Sequence, residues 1–130
     1  MSKIKIYNAN DAFEVGGSYK LGTLVGVKHK NLIEMFGEPT FVDPSIDQKV
    51  QFEWVVKYDN SIYTVYDWKT YDAEYTLNEL TSWSIGGKGK IKQTFIDKVF
   101  SLCKEKCDND VNESIMFHSL DGLLEVTNKT

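Results

Sequence analysis

Residues 50–68 read VQFEWVVKYDNSIYTVYDW, and the fold turns on how this stretch is read. Val50, Phe52, Trp54, Val56 and Tyr58 alternate with Gln51, Glu53, Val55 and Lys57. Successive strand side chains point to opposite faces, so one face is apolar and the other is mostly polar, Val55 excepted. The following IYTVYDW has the same β-branched and aromatic content. Between the two runs stand Asp59, Asn60 and Ser61. Asp and Asn both tolerate left-handed backbone, which a tight turn needs. The stretch predicts a β-hairpin whose apolar face must be covered, and helices are the obvious cover.

Working outward, residues 3–7, KIKIY, alternate as a short strand, and Asn8 to Gly17 is turn-like. Residues 18–27, SYKLGTLVGV, read as a strand bent or bulged at its glycines. KHKNLIEMF reads as a short helix with Leu32, Ile33 and Phe36 on one side. Gly37 is placed to end it, and Pro39 prevents its continuation. His29 lies between Lys28 and Lys30, which should keep it exposed. On the other side, residues 69–80, KTYDAEYTLNEL, read as an extended loop, and TSWSI as a strand with Trp83 and Ile85 on one face. From Lys90 the period becomes helical: Ile91, Phe95, Val99 and Leu102 form a stripe that Ile96 and Cys103 widen. Asp108-Asn109-Asp110 closes the helix, and Asp121-Gly122 is a hairpin turn between two apolar runs.

These elements make one α+β domain over residues 1–108. Residues 109–130 are a tail that forms a hairpin or contacts a second subunit. Strands and helices do not alternate regularly, so a mainly antiparallel sheet of four to six strands with one short and one long helix is expected. A chain of 130 residues suits a single domain. Seven Phe, seven Tyr and three Trp can fill its core, since each ring buries about 150–250 Å².

Several classes of function are disfavoured. No apolar run approaches the ~20 residues that span a bilayer, and MSKIKIYNAND lacks the apolar region of a secretory signal; a cytoplasmic protein with no membrane partner is expected. The net charge of −4 opposes general nucleic-acid binding. All 15 basic residues are lysine, so the bidentate arginine contacts of sequence-specific base readout are missing. An AT-rich genome would also encode a chain without arginine. Cys103 and Cys107 share a helix face but lack further ligands at metal-binding spacing, so neither a metal nor another cofactor is expected. The carboxylate pairs Glu34/Glu38, Asp43/Asp47 and Asp67/Asp72 read as surface charge, and no nucleophile elbow or nearby Cys–His pair occurs.

One segment invites a ligand. Residues 82–90, SWSIGGKGK, run from a strand into a helix. Glycines allow close backbone approach, and a helix N-terminus presents unpaired N–H groups and positive charge. Gly86, Gly87, Lys88 and Lys90 would therefore suit a phosphate. The segment matches neither G-x-x-x-x-G-K-[ST] nor G-x-G-x-x-G, and a plain glycine turn with solvated lysines is the competing reading. Tyr66, Trp68 and Trp83 lie in the strands around it and are candidates to stack on a base.

The motifs F-G-E-P (36–39), E-W (53–54), Y-D-W-K (66–69) and W-x-I-G-G (83–87) together resemble those of a loose group of small phage-encoded proteins, over roughly residues 19–100. Members of that group often carry His where Ser84 stands here. The resemblance implies a viral accessory protein in the host bacterial cytosol. Such proteins often counter bacterial immunity. The expectation is a non-enzymatic protein that sequesters a nucleotide-like signal through Gly86, Gly87, Lys88, Lys90, Trp83, Trp68 and Tyr66, at a site that a homo-oligomer could complete. The alternative is a protein-binding inhibitor of a host defence enzyme, anti-CRISPR-like or mimicking nucleic acid. A small nucleotide hydrolase is a third reading.

Overall fold

The computed structural model describes residues 4–7, 19–42, 50–68, 73–107, 115–120 and 125–127. Its strands are β1 (Ile4–Ile6), β2 (Tyr19–Val25), β3 (Glu53–Tyr58), β4 (Ser61–Tyr66), β5 (Ser82–Gly87), β6 (Met116–Ser119) and β7 (Glu125–Thr127). Its helices are α1 (His29–Phe36), α2 (Ala73–Asn78) and α3 (Gln93–Lys106). All strands join one sheet in the order β1-β3-β4-β5-β2-β6-β7, and every pair is antiparallel. This is the α+β class with the antiparallel sheet expected. Six strands carry the sheet, and a three-residue seventh extends its edge.

The central hairpin forms as its alternation dictates. Trp54 pairs with Val65, Val56 with Tyr63 and Tyr58 with Ser61. Asp59 takes the left-handed conformation of the turn, at φ 53°. The apolar face continues through Ile85, Trp83, Leu24 and Phe117 in adjoining strands. Together with Leu32, Phe36, Phe95, Ile96, Val99 and Cys103 of α1 and α3 they form a single core. Both central indoles are fully satisfied there: the Trp54 Nε1–H donates to the Gly37 carbonyl, and the Trp83 Nε1–H to the Val27 carbonyl, each at 2.9 Å.

Helix α1 starts with the returning half of a capping box, since the Lys28 N–H donates to Asn31 Oδ1 at 2.9 Å. It ends at Gly37, whose φ of 84° excludes most other residues. Leu32 and Phe36 are buried as expected, while Ile33 is only partly so. Helix α3 buries Phe95, Ile96, Val99, Phe100 and Cys103. The stripe is thus rotated from the one expected: Phe100 takes the place of Leu102, which stays half-buried at the rim.

Four expectations need correction. Asp67, read as surface charge, is fully buried. Residues 73–78 form a helix rather than an extended loop. Thr76, fully buried, donates to Asp67 Oδ2 at 2.8 Å, a long-range tie that local composition does not reveal. The β5 strand continues through Gly86 and Gly87 instead of ending at Ile85. Finally, His29 is not exposed. Its ring packs edge-on against Phe52 at 4.7 Å and lies 5.6 Å from Trp54, because the first residue of α1 faces the sheet, not the flanking lysines. The bulge expected in β2 is present between Lys20 and Gly22. The proposed Asp121-Gly122 turn and the 8–17 segment lie outside the described residues.

A candidate anion-binding cleft beside the Gly-Lys turn

The connection from β5 to α3 consists of Lys88 to Lys92. Its turn depends on Gly89, at φ 75° with nothing within 4 Å of where a Cβ would stand; the constraint there is conformational, not steric. Tyr19 clamps this turn from the start of β2. Its hydroxyl accepts from the Gly89 N–H at 3.1 Å and donates to the Gly89 carbonyl at 3.4 Å. Tyr63 holds the other end: its hydroxyl accepts from the Lys92 N–H at 3.2 Å, and its ring stacks on Phe95 with centroids 4.1 Å apart.

Beside this turn opens a cleft of about 470 Å³, lined by Tyr19, Lys20, Leu21, Gly89, Lys90, Ile91, Ser119 and Leu120. That volume falls within the ~300–1,000 Å³ usual for small-molecule sites. Its walls come from β2, the β5–α3 turn and the end of β6. Two lysines and no carboxylate stand among the lining residues, in a chain whose net charge is −4. Tyr19 is 57 % exposed and Leu120 67 %, so a flat apolar body can reach both. The cleft thus combines cationic groups with an aromatic ring.

The residues proposed from the sequence divide between this cleft and other places. Lys90 lines it, and Lys88 is exposed on the same turn. Gly86 and Gly87 do not cradle a ligand, because they are strand residues pressed by neighbours. A Cβ on Gly86 would stand 2.7 Å from Thr64 Oγ1, and one on Gly87 3.0 Å from a Leu21 methyl. Trp83 is 1 % exposed and belongs to the core, so its ring is closed to stacking. Tyr66 and Trp68 pack together, T-shaped with centroids 6.2 Å apart. They sit toward the other end of the sheet, since Tyr66 pairs with Ser84 whereas Tyr63 pairs with Gly87. The ring beside the turn is Tyr19.

Sequence reading missed Tyr19, Lys20, Gly89 and Leu120. Gly89 was visible as the third glycine of the segment. The others reach the turn only through the pairing of Tyr19 with Gly87 and the hydrogen bond from the Leu120 N–H to the Leu21 carbonyl.

Three further polar groups, Asp67, His29 and Glu53, frame the hairpin. Asp67 is fully buried, and its Oδ1 accepts from the N–H groups of Gln51 (2.7 Å) and Phe52 (3.0 Å). With Thr76 on Oδ2, this carboxylate fastens α2 and the entry to β3, a structural role. Burial lowers the pKa of His29, outweighing the opposite pull of Glu38 and Asp67, and its Nε2 is buried without a hydrogen-bond partner. Burial, with Asp67 nearby, raises the pKa of Glu53. Among the described residues, no group of three His, Cys, Asp or Glu is placed to hold a metal ion, and no helix is long and apolar enough to cross a membrane.

No family model, curated protein sequence or solved structure matches the chain.

Proposed function

We propose that this chain is a non-enzymatic phage accessory protein that binds a nucleotide-type signal in the Tyr19–Lys90 cleft, in the host bacterial cytosol, and thereby counters a bacterial defence. The observation that carries the reading is the cleft itself: Lys20 and Lys90 face a space of mononucleotide size with no lining carboxylate, beside an exposed tyrosine ring. Phosphate charge would meet the two ammonium groups and a base would lie on Tyr19. Sequestration requires affinity alone, so no catalytic constellation is needed.

The test is a thermal-shift screen with cyclic dinucleotides and ADP-ribose derivatives. A ligand at a hundred times its Kd stabilises the folded state by about 2.7 kcal/mol. At least one such nucleotide should raise the melting temperature, and Lys90→Ala should weaken its binding about tenfold, with the loss smaller at high salt. The ligand should return chemically unchanged after denaturation. A screen in which no nucleotide shifts the melting temperature would remove this reading. The exposed Leu120 and Tyr19 support a second one, in which the same rim anchors a host defence protein. A stable complex with such a protein, blocked by Leu120→Asp, would favour it.

A further inference from the structure

A second groove opens where β1, at the edge of the sheet, meets α1 and α3. From β1 it takes Ile4 and Ile6, alternate residues on one face of the strand. The end of α1 contributes Met35 and Phe36, and α3 contributes Lys98, Leu102 and Lys106. Their spacing of four puts these last three on one face of the helix, with the lysines about 12 Å apart along its axis. The groove holds about 350 Å³, in the lower part of the ~300–1,000 Å³ range of small-molecule sites. It shares no lining residue with the cleft at Lys90.

Two observations set it apart from ordinary surface. First, Ile4, Ile6 and Leu102 pack against the core but are only partly buried. The buried stripe of α3 turns toward Phe100, which leaves Leu102 on the groove wall. Covering this aliphatic surface is favourable in proportion to the area taken from water. Second, the polar side chains among the described lining residues are two ammonium groups, with no carboxylate, hydroxyl or amide beside them, in a chain of net charge −4. Lys98 is itself partly buried, so its methylene stem extends the apolar wall while its charge stays at the rim.

We infer that this groove binds a single-chain acyl carboxylate of medium length, its tail between β1, α1 and Leu102 and its carboxylate on Lys98. Charge complementarity selects the head: an anion meets an ammonium group beside apolar surface, where the attraction is stronger than in bulk water. The lining selects the tail. A sugar, a base or a peptide would bring polar groups that no side chain between the two lysines can satisfy, whereas a hydrocarbon chain brings none. A cationic amphiphile would be repelled by both lysines. The site is independent of the nucleotide reading of the Lys90 cleft.

The probes are octanoate, decanoate and dodecanoate, kept below their micellar concentrations, with decanol as the uncharged control. Calorimetric titration and methyl NMR on the whole chain should show one acid bound per chain, its affinity rising about fourfold for each added methylene. Decanoate should bind about fivefold more tightly than decanol. Lys98→Met, which keeps the stem, should erase that difference and leave decanol binding unchanged. Leu102→Glu should weaken decanoate binding at least tenfold, and Lys90→Ala should leave it as it is. Circular dichroism and melting curves identify the folded variants, and Lys98→Met keeps the test intact if Leu102→Glu does not fold. The inference is overturned if no acid binds, if decanol binds as tightly as decanoate, if Lys98→Met keeps the preference for the acid, if several molecules adsorb per chain, or if binding is lost with Lys90→Ala. An acidic, leucine-containing peptide is titrated in parallel; its binding in place of all three acids would overturn the inference in favour of a protein partner.

Discussion

The Tyr19 hydroxyl and the Gly89 amide, seventy residues apart in the chain, meet at 3.1 Å and close the turn that leads into α3. The same hydroxyl returns a hydrogen bond to the Gly89 carbonyl. One side chain therefore sets the backbone of the loop and walls the cleft beside it. Tyr19→Phe keeps the ring but removes the clamp. Because the hydrogen bonds are exposed, the stability loss should be small, about 0.5 kcal/mol. The Gly89 amide should exchange with deuterium markedly faster, and nucleotide affinity should fall. An unchanged exchange rate would show that the clamp does not hold the turn.

Trp83→Ala separates a core role from a ligand role. The indole is buried and anchored to the Val27 carbonyl. Its removal should cost about 3–5 kcal/mol, a large share of the ~5–15 kcal/mol that holds a typical domain together. Chemical denaturation measures this directly. A variant of full stability that had lost only ligand binding would contradict the placement of Trp83.

Acid stability should carry two opposed contributions. Burial holds the folded-state pKa of His29 below the ordinary imidazole value of 6.5. The unfolded chain therefore takes up the proton first, and stability is lost as pH falls from about 6.5 toward the folded value. Glu53 behaves in the opposite sense. Burial raises its folded pKa above the ordinary carboxylate value of 4.5, so the native state takes up the proton first, and stability rises as pH falls toward 4.5. The melting temperature of His29→Phe should lose the first dependence and that of Glu53→Gln the second. Identical pH profiles for His29→Phe and the parent would reject the assignment of His29.

Thr76→Val should loosen α2. The threonine hydroxyl donates to a buried Asp67 oxygen, and removing one partner of a buried carboxylate costs about 1–3 kcal/mol. Hydrogen exchange should accelerate first in residues 73–78, while the β3–β4 hairpin keeps its protection. Uniform acceleration across the sheet would show that α2 is not separately fastened.

Much of this architecture is local and was legible as such. Alternation from Val50 to Tyr58 and the Asp59-Asn60 turn specify the hairpin, because strand side chains repeat every two residues and Asp accepts a left-handed φ. Gly37 ends α1 for the same kind of reason. The helical period after Lys90 specifies α3, although its buried face is turned toward Phe100. The candidate sites are different in origin. Gly86 and Gly87 look like turn residues until β2 and β4 pair on either side of them, and then the neighbours Thr64, Tyr66, Leu21 and Tyr63 explain the missing side chains.

By itself, the sequence determined the sheet-and-helix class, the central hairpin and the lysine-rich turn, because dihedral preference and hydrophobic period act over a few residues. Tertiary structure alone decided that Trp83 serves the core, that Tyr19 serves the turn, and that Ile6, Phe36 and Leu102 wall one groove. Those placements follow from strand order, register and helix packing, which bring together residues far apart in the chain and which no local pattern contains.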